Sequence, residues 1–272
     1  MMEPAAVLKV VLVGPSGAGK TTLRHQYTSG TTGAAKPTIG VEFSTRKESV
    51  RGSNYTMQLW DTAGSKRFAP VTDSAYLHCD AIVGVVDLDR AHKQMMAQSK
   101  RAGVENMEQL IEEYFVTELE RIRHALSKVA DEINRPTLVV VGNKIDLLTQ
   151  GEIKYEEVAI RNALKVVAES EMRGSYFDVS ALTGVGVAET FSKALDGATR
   201  RYEIKYGIRD KTAYARERPI APQFPVDLEH DDDDESPPSW TFHSRSYCDD
   251  DAFLNNARQV NKPWWRAWLC GF

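Results

Sequence analysis

The sequence predicts an α/β protein with a six-stranded, mostly parallel sheet flanked by helices. Three observations predict it. Short β-branched apolar runs recur through residue 206, stretches of helical period separate them, and a glycine-rich loop joins the first run to the first helix. Short apolar runs ended by turn signals suit strands buried on both faces. Strands alternating with helices imply right-handed crossovers and parallel pairing.

The elements follow in order. Residues 8–13 (LKVVLV) form the first run and end at Gly14, and 22–27 read as the first helix. Residues 41–50 are more polar and alternate, as an edge strand would. Residues 56–61, 81–88 (AIVGVVDL), 137–141 (TLVVV) and 176–179 supply the other strands. The clearest helix is 104–133, where Met107, Leu110, Ile111, Tyr114, Phe115, Leu119, Ile122, Leu126 and Val129 recur three or four apart. Residues 152–172 and 187–206 are also helical in period. Residues 89–103 are polar and read as an insertion or an extra helical turn, with no assignable chemistry. After about Arg218 the pattern stops, and Pro219, Pro222 and Pro225 lead into EHDDDDESPPS, a run that cannot bury a core. The expected organisation is a body over 1–206 and an acidic, proline-containing tail over 207–272, largely disordered.

Five elements point to phosphate and base chemistry. Gly14-Pro15-Ser16-Gly17-Ala18-Gly19-Lys20-Thr21 matches G-x-x-x-x-G-K-[ST] between a strand and a helix, the context this phosphate loop needs. Its glycines let backbone N–H groups cradle phosphates, and the helix N-terminus adds its positive end. Lys20 would reach the β- and γ-phosphates, and the Thr21 hydroxyl would ligate Mg²⁺. The loop alone does not distinguish ATP from GTP. Asp61, at the end of a strand, can hold a Mg²⁺-bound water, and Gly64 lets its N–H approach a γ-phosphate. Thr38, in Lys36-Pro37-Thr38-Ile39-Gly40, can offer its hydroxyl to Mg²⁺ and its N–H to the same phosphate. Such a loop orders with a triphosphate and releases with a diphosphate. Taken alone, Thr38 would be a surface turn residue. In Gly142-Asn143-Lys144-Ile145-Asp146, the Asp146 carboxylate can accept two hydrogen bonds from guanine, a pair adenine lacks, and Lys144 can lie along the ring. In Val179-Ser180-Ala181-Leu182, the Ala181 N–H can meet the guanine oxygen.

Composition narrows the classes further. The chain has 272 residues, of which 42% are hydrophobic and 26% charged, which excludes a wholly disordered chain. A net charge of -4 argues against nucleic-acid binding. The charge is uneven: from Pro219 onward ten acids face four bases, so the acidity resides in the tail. Cys79, Cys248 and Cys270 show no paired spacing, which suits a reducing compartment without a disulfide framework or zinc site. Met1-Met2-Glu3-Pro4 lacks the pattern of a signal peptide, and no apolar run approaches a membrane span.

These residues together resemble the Ras superfamily of small GTPases, most closely the Rab family. The resemblance rests on GPSGAGKT (14–21), PTIGVEFSTR (37–46), LWDTAGSKRF (59–68), VGNKIDL (141–147) and VSAL (179–182), and covers residues 5–206. It implies the P-loop NTPase small-GTPase fold and a GTP/GDP switch with Mg²⁺ in vesicle and membrane traffic. Implied nucleotide contacts are Gly14, Ser16, Gly17, Ala18, Gly19, Lys20, Thr21, Thr22, Thr38, Asp61, Gly64, Asn143, Lys144, Asp146, Ser180, Ala181 and Leu182. Thr21, Thr38 and Asp61 (through water) would serve the metal, and Lys20, Thr38 and Ser65 the hydrolysis. Exchange factors, activating proteins and effectors would act at Thr38 to Phe43, at Trp60 and on the helix after Gly64.

Three departures stand out. Ser65 occupies the position of the water-orienting Gln, which implies slow GTP hydrolysis or a GTP-bound pseudo-GTPase serving as a scaffold. The terminus Trp268-Leu269-Cys270-Gly271-Phe272 lacks the C-a-a-X box and the paired cysteines of a Rab, so prenylation is not expected. The expected location is cytoplasmic, with peripheral residence on an intracellular membrane as the open alternative. The tail ends in three Trp (264, 265 and 268), which suit a motif for a protein partner ahead of self-docking or a membrane anchor.

Overall fold

The computed structural model describes residues 6–32, 36–102, 107–129, 135–148 and 155–208. The chain divides into two units, Met1–Arg216 and Glu217–Phe272, and every described residue belongs to the first. Residues 209–272 of the tail therefore lie outside the described residues, as do 104–106, 130–133 and 152–154 of the expected helices.

Six strands form one sheet in the order β2-β3-β1-β4-β5-β6. β1 (Ala6–Val13) lies between β3 (Ser53–Thr62) and β4 (Ala81–Asp87) and is parallel to both, with Val10 opposite Leu59 and Ala81. β5 (Thr137–Asn143) and β6 (Ser175–Val179) extend the parallel part. β2 (Val41–Val50) is antiparallel to β3 and forms an edge, as its polar alternation predicts. Arg51 and Gly52, both left-handed, close that hairpin in two residues. The run at 176–179 differs from expectation. β6 is the other edge, so among its residues only Val179 is buried.

β1 shows how alternation builds two cores. Leu8, Val10 and Leu12 face one side and Val11 and Val13 the other, all fully buried. The first side is covered by α1 (Lys20–Ser29) and α7 (Val187–Lys205), through Leu23, Phe191, Ala194 and Ala198. Tyr27 of α1 stacks on Phe191 with ring centroids 4.0 Å apart. The second side is covered by α2 (Ala69–Tyr76), α3 (Leu88–Ala102), α4 (Met107–Ser127) and α6 (Tyr155–Val166). The short α5 (Ile145–Leu148) follows β5.

The described part of the stretch 89–103 is more than a helical turn: residues 89–102 belong to α3, a helix of 15 residues that starts at Leu88. Asp87 caps it: its Oδ1 accepts the Arg90 N–H at 3.0 Å. Leu88, Ala91 and Met95, spaced three and four apart, are fully buried, and α3 packs against α4, α5, α6 and β5. In α4 the expected stripe buries Tyr114, Phe115, Leu119 and Ile122.

Candidate functional site

The site gathers at the carboxyl ends of the parallel strands, where loops leave the sheet and helix N-termini arrive. The phosphate loop runs from the end of β1 into α1, and Lys20 and Thr21 are the first residues of that helix. Gly17 and Gly19 are left-handed, at φ 84° and 95°. A Cβ on Gly19 would stand 2.3 Å from Asn143 Nδ2, so only glycine fits there. Gly64 lies against the same loop. Its Cβ would fall 2.3 Å from the Ser16 nitrogen.

Lys20 is 6% exposed, and its Nζ donates to the carbonyls of Gly14 and Pro15 at 2.8 Å each. An ammonium has three donors, so one remains to point at a phosphate. Burial lowers its pKa to about 8, although the Asp61 carboxylate pulls it upward.

Three oxygen-bearing side chains meet beside it. The Thr21 hydroxyl donates to Asp61 Oδ2 at 2.6 Å and lies 2.9 Å from the Thr38 hydroxyl. Asp61 is fully buried, and its Oδ1 has no hydrogen-bond partner. Burial raises its pKa, opposed by the Thr21 hydroxyl and then by Lys20 and Arg24. Hydroxyls and carboxylate suit a hard cation such as Mg²⁺, and the unpartnered Oδ1 leaves capacity for one. Among the described residues no three acids, histidines or cysteines form a metal cage, so the candidate set rests on one acid and two threonines.

The base-side residues are joined through Asn143, which is 1% exposed. Its Nδ2 donates to the Ala18 carbonyl at 2.7 Å and its Oδ1 accepts the Ala181 N–H at 3.0 Å. One side chain thus ties the phosphate loop to the loop after β6. The Ala181 N–H, expected to meet a guanine oxygen, is engaged with Asn143 in this structure. Ser180 donates to Asp146 Oδ1 at 2.5 Å and orients that carboxylate. Lys144, left-handed at φ 70°, donates to Asp87 Oδ2 at 2.6 Å. Leu182 is 59% exposed at the rim. Thr22 lies in the first turn of α1, and Ser65 precedes a short 3₁₀ turn, Lys66–Phe68.

Two arginines near the site escaped the sequence reading. Arg24 reaches Asp61 and Glu42, and its only signal in the sequence is its place one turn after Lys20 in α1. Arg90, from the segment given no chemistry, brings Nη2 to 3.6 Å from where a Cβ on Gly17 would lie. Beside the site, Phe43 stacks on Trp60 at 5.6 Å, and Ile39, Phe43 and Val71 are exposed.

A model of the Ras family matches residues 9–117 and 112–200. The chain is 32% identical over 186 residues to "Ypt/Rab-type GTPase Rab7" of Neurospora crassa, a span of 68% of this chain and 78% of the relative. It is 30% identical over 209 residues to "Ras-related protein rab-11.1" of Caenorhabditis elegans, covering 76% and 84%. It is 30% identical over 186 residues to "Ras-related protein RABG3f" of Arabidopsis thaliana, covering 68% and 79%.

Proposed function

Because the chain belongs to the Ras family of small GTPases and is most like its Rab members, we propose that it binds GTP and GDP with Mg²⁺ and switches between them in membrane traffic. The observation that carries this reading is the meeting of Thr21, Thr38 and Asp61 beside Lys20, with Asn143 joining the phosphate loop to the base-side loop. The phosphate-loop amides and Lys20 bind and orient the polyphosphate. Asp146, held by Ser180, selects guanine over adenine. When bound, Mg²⁺ supplies positive charge against the phosphate oxygens. Thr38, in the loop before β2, and Gly64, after β3, would report the third phosphate to partners. Ile39 and the Phe43–Trp60 pair offer those partners apolar surface. An exchange factor, an activating protein and effectors are the expected partners.

We further infer slow hydrolysis. The Ser65 side chain is too short to orient an attacking water as Gln does. That same residue favours a second reading, in which the chain keeps GTP and serves as a scaffold. Among the described residues no helix is long and apolar enough to cross a membrane.

The deciding experiment is identification of the nucleotide released from purified full-length chain, with competition by GTP, GDP and ATP, followed by a hydrolysis time course. Guanine nucleotide is expected, and an ATP preference would overturn the reading. Measurable turnover separates the switch from the scaffold.

A further inference from the structure

Asp61, the acid proposed to serve the cation, already has a second positive group against it. Arg24 sits on α1 with its side chain 8% exposed, and its Nε lies 3.8 Å from Asp61 Oδ2. That Nε is buried and has no hydrogen-bond partner. The other end of the guanidinium is anchored, since Nη2 donates to Glu42 Oε2 at 2.9 Å and meets His25 Nε2 at 3.0 Å. Lys20 and Arg24 thus both bear on the one carboxylate, whose Oδ1 remains without a partner.

This arrangement has a direct electrostatic consequence. A divalent cation beside Asp61 must either stand near the guanidinium or displace it. The first incurs like-charge repulsion, and the second breaks an attraction to Asp61 and disturbs the Glu42 pair. Either route weakens the cation's hold. Glu42 offsets part of the effect, but its side chain is 54% exposed and so partly screened. Buried charges on α1 and β3 are screened far less.

We propose that Arg24 sets the Mg²⁺ requirement of this site, supplying part of the positive charge Asp61 would otherwise take from Mg²⁺, so that Mg²⁺ is held weakly and retention of nucleotide depends less on it. The inference rests on the guanine-nucleotide reading. The test uses the full chain loaded with a fluorescent GDP analogue, and follows release as free Mg²⁺ is varied from chelated to millimolar. Arg24→Met should lower the half-maximal Mg²⁺ concentration by about 10-fold or more, because the buried like charge is gone. Arg24→Lys, which keeps a charge there, should stay nearer the parent. Glu42→Gln, which removes the offsetting carboxylate, should raise the half-maximal concentration. A half-maximal point unmoved in Arg24→Met, or in Glu42→Gln if the methionine variant does not fold, overturns the proposal. So does an Arg24→Lys variant that matches Arg24→Met. Failure of the parent chain to retain GDP at any Mg²⁺ concentration would instead overturn the nucleotide reading itself.

Discussion

Lys20 is held against its own charge. Its burial lowers the pKa to about 8 while Asp61 raises it, so above pH 8 much of the side chain is neutral. A phosphate at the third donor would restore the charged form, since an anion at contact distance favours it. Nucleotide binding at pH 9 should therefore take up close to one proton, and this contribution should vanish by pH 6.5, where Lys20 is charged before and after. Calorimetry of GDP binding in two buffers of different ionisation enthalpy reads this directly, and identical heats at pH 9 would contradict it. Ser65 gives a second prediction on this scale. Ser65→Gln should speed single-turnover GTP hydrolysis by at least about 10-fold, a part of the roughly 100- to 10,000-fold that a positioned proton-transfer group supplies. An unchanged rate would sink the account of slow turnover. The candidate-site residues that meet around Lys20 and Asn143 were open to motif reading because each motif fixes spacing along one loop. Arg24 was not, since its meeting with Asp61 depends on how β3 lies against α1. Nor was the sharing of Asn143 between Ala18 and Ala181, which joins loops far apart in sequence.

Helices and strands differed in how far the sequence exposed them. β1, β4 and β5 read clearly because burial on both faces leaves a continuous apolar run. α4 read clearly through its long stripe. α3 did not, because a helix lying on one face needs only Leu88, Ala91 and Met95 to dock and its remaining residues can be polar. β6 was read as a buried strand from a run too short to reveal that it is an edge. The role of α3 can be measured. Met95 is fully buried among α3, α4 and α6, so Met95→Ala should cost about 2–4 kcal/mol by urea denaturation. A loss under about 0.5 kcal/mol, typical of surface substitutions, would mean that α3 is not part of the core.

For the whole molecule, a nearly neutral body is joined in sequence to an acidic tail, and we propose that the tail carries a motif for a protein partner through its Trp residues. Deletion of residues 219–272 should leave the melting temperature of the GDP-loaded protein unchanged and should not reduce co-sedimentation with anionic liposomes. Lower melting would favour docking of the tail on the body, and lost sedimentation a membrane anchor. The strand order across the sheet was legible only through the family resemblance, because no local pattern states which strand neighbours which.

The two-helix crossover between β4 and β5 also bears on how the chain is made. β4 is buried along its whole length in the finished sheet, and its second neighbour begins only at Thr137. Some 50 residues of crossover at roughly 5–20 residues per second amount to about 3–10 s of ribosome time. Through that interval the β4 edge, with Ile82, Val83, Val85 and Val86, has no strand to pair with, and apolar strand edges template wrong pairings. The nascent chain is thus most vulnerable between the emergence of Asp87 and that of Asn143, the window in which a chaperone would have most to protect.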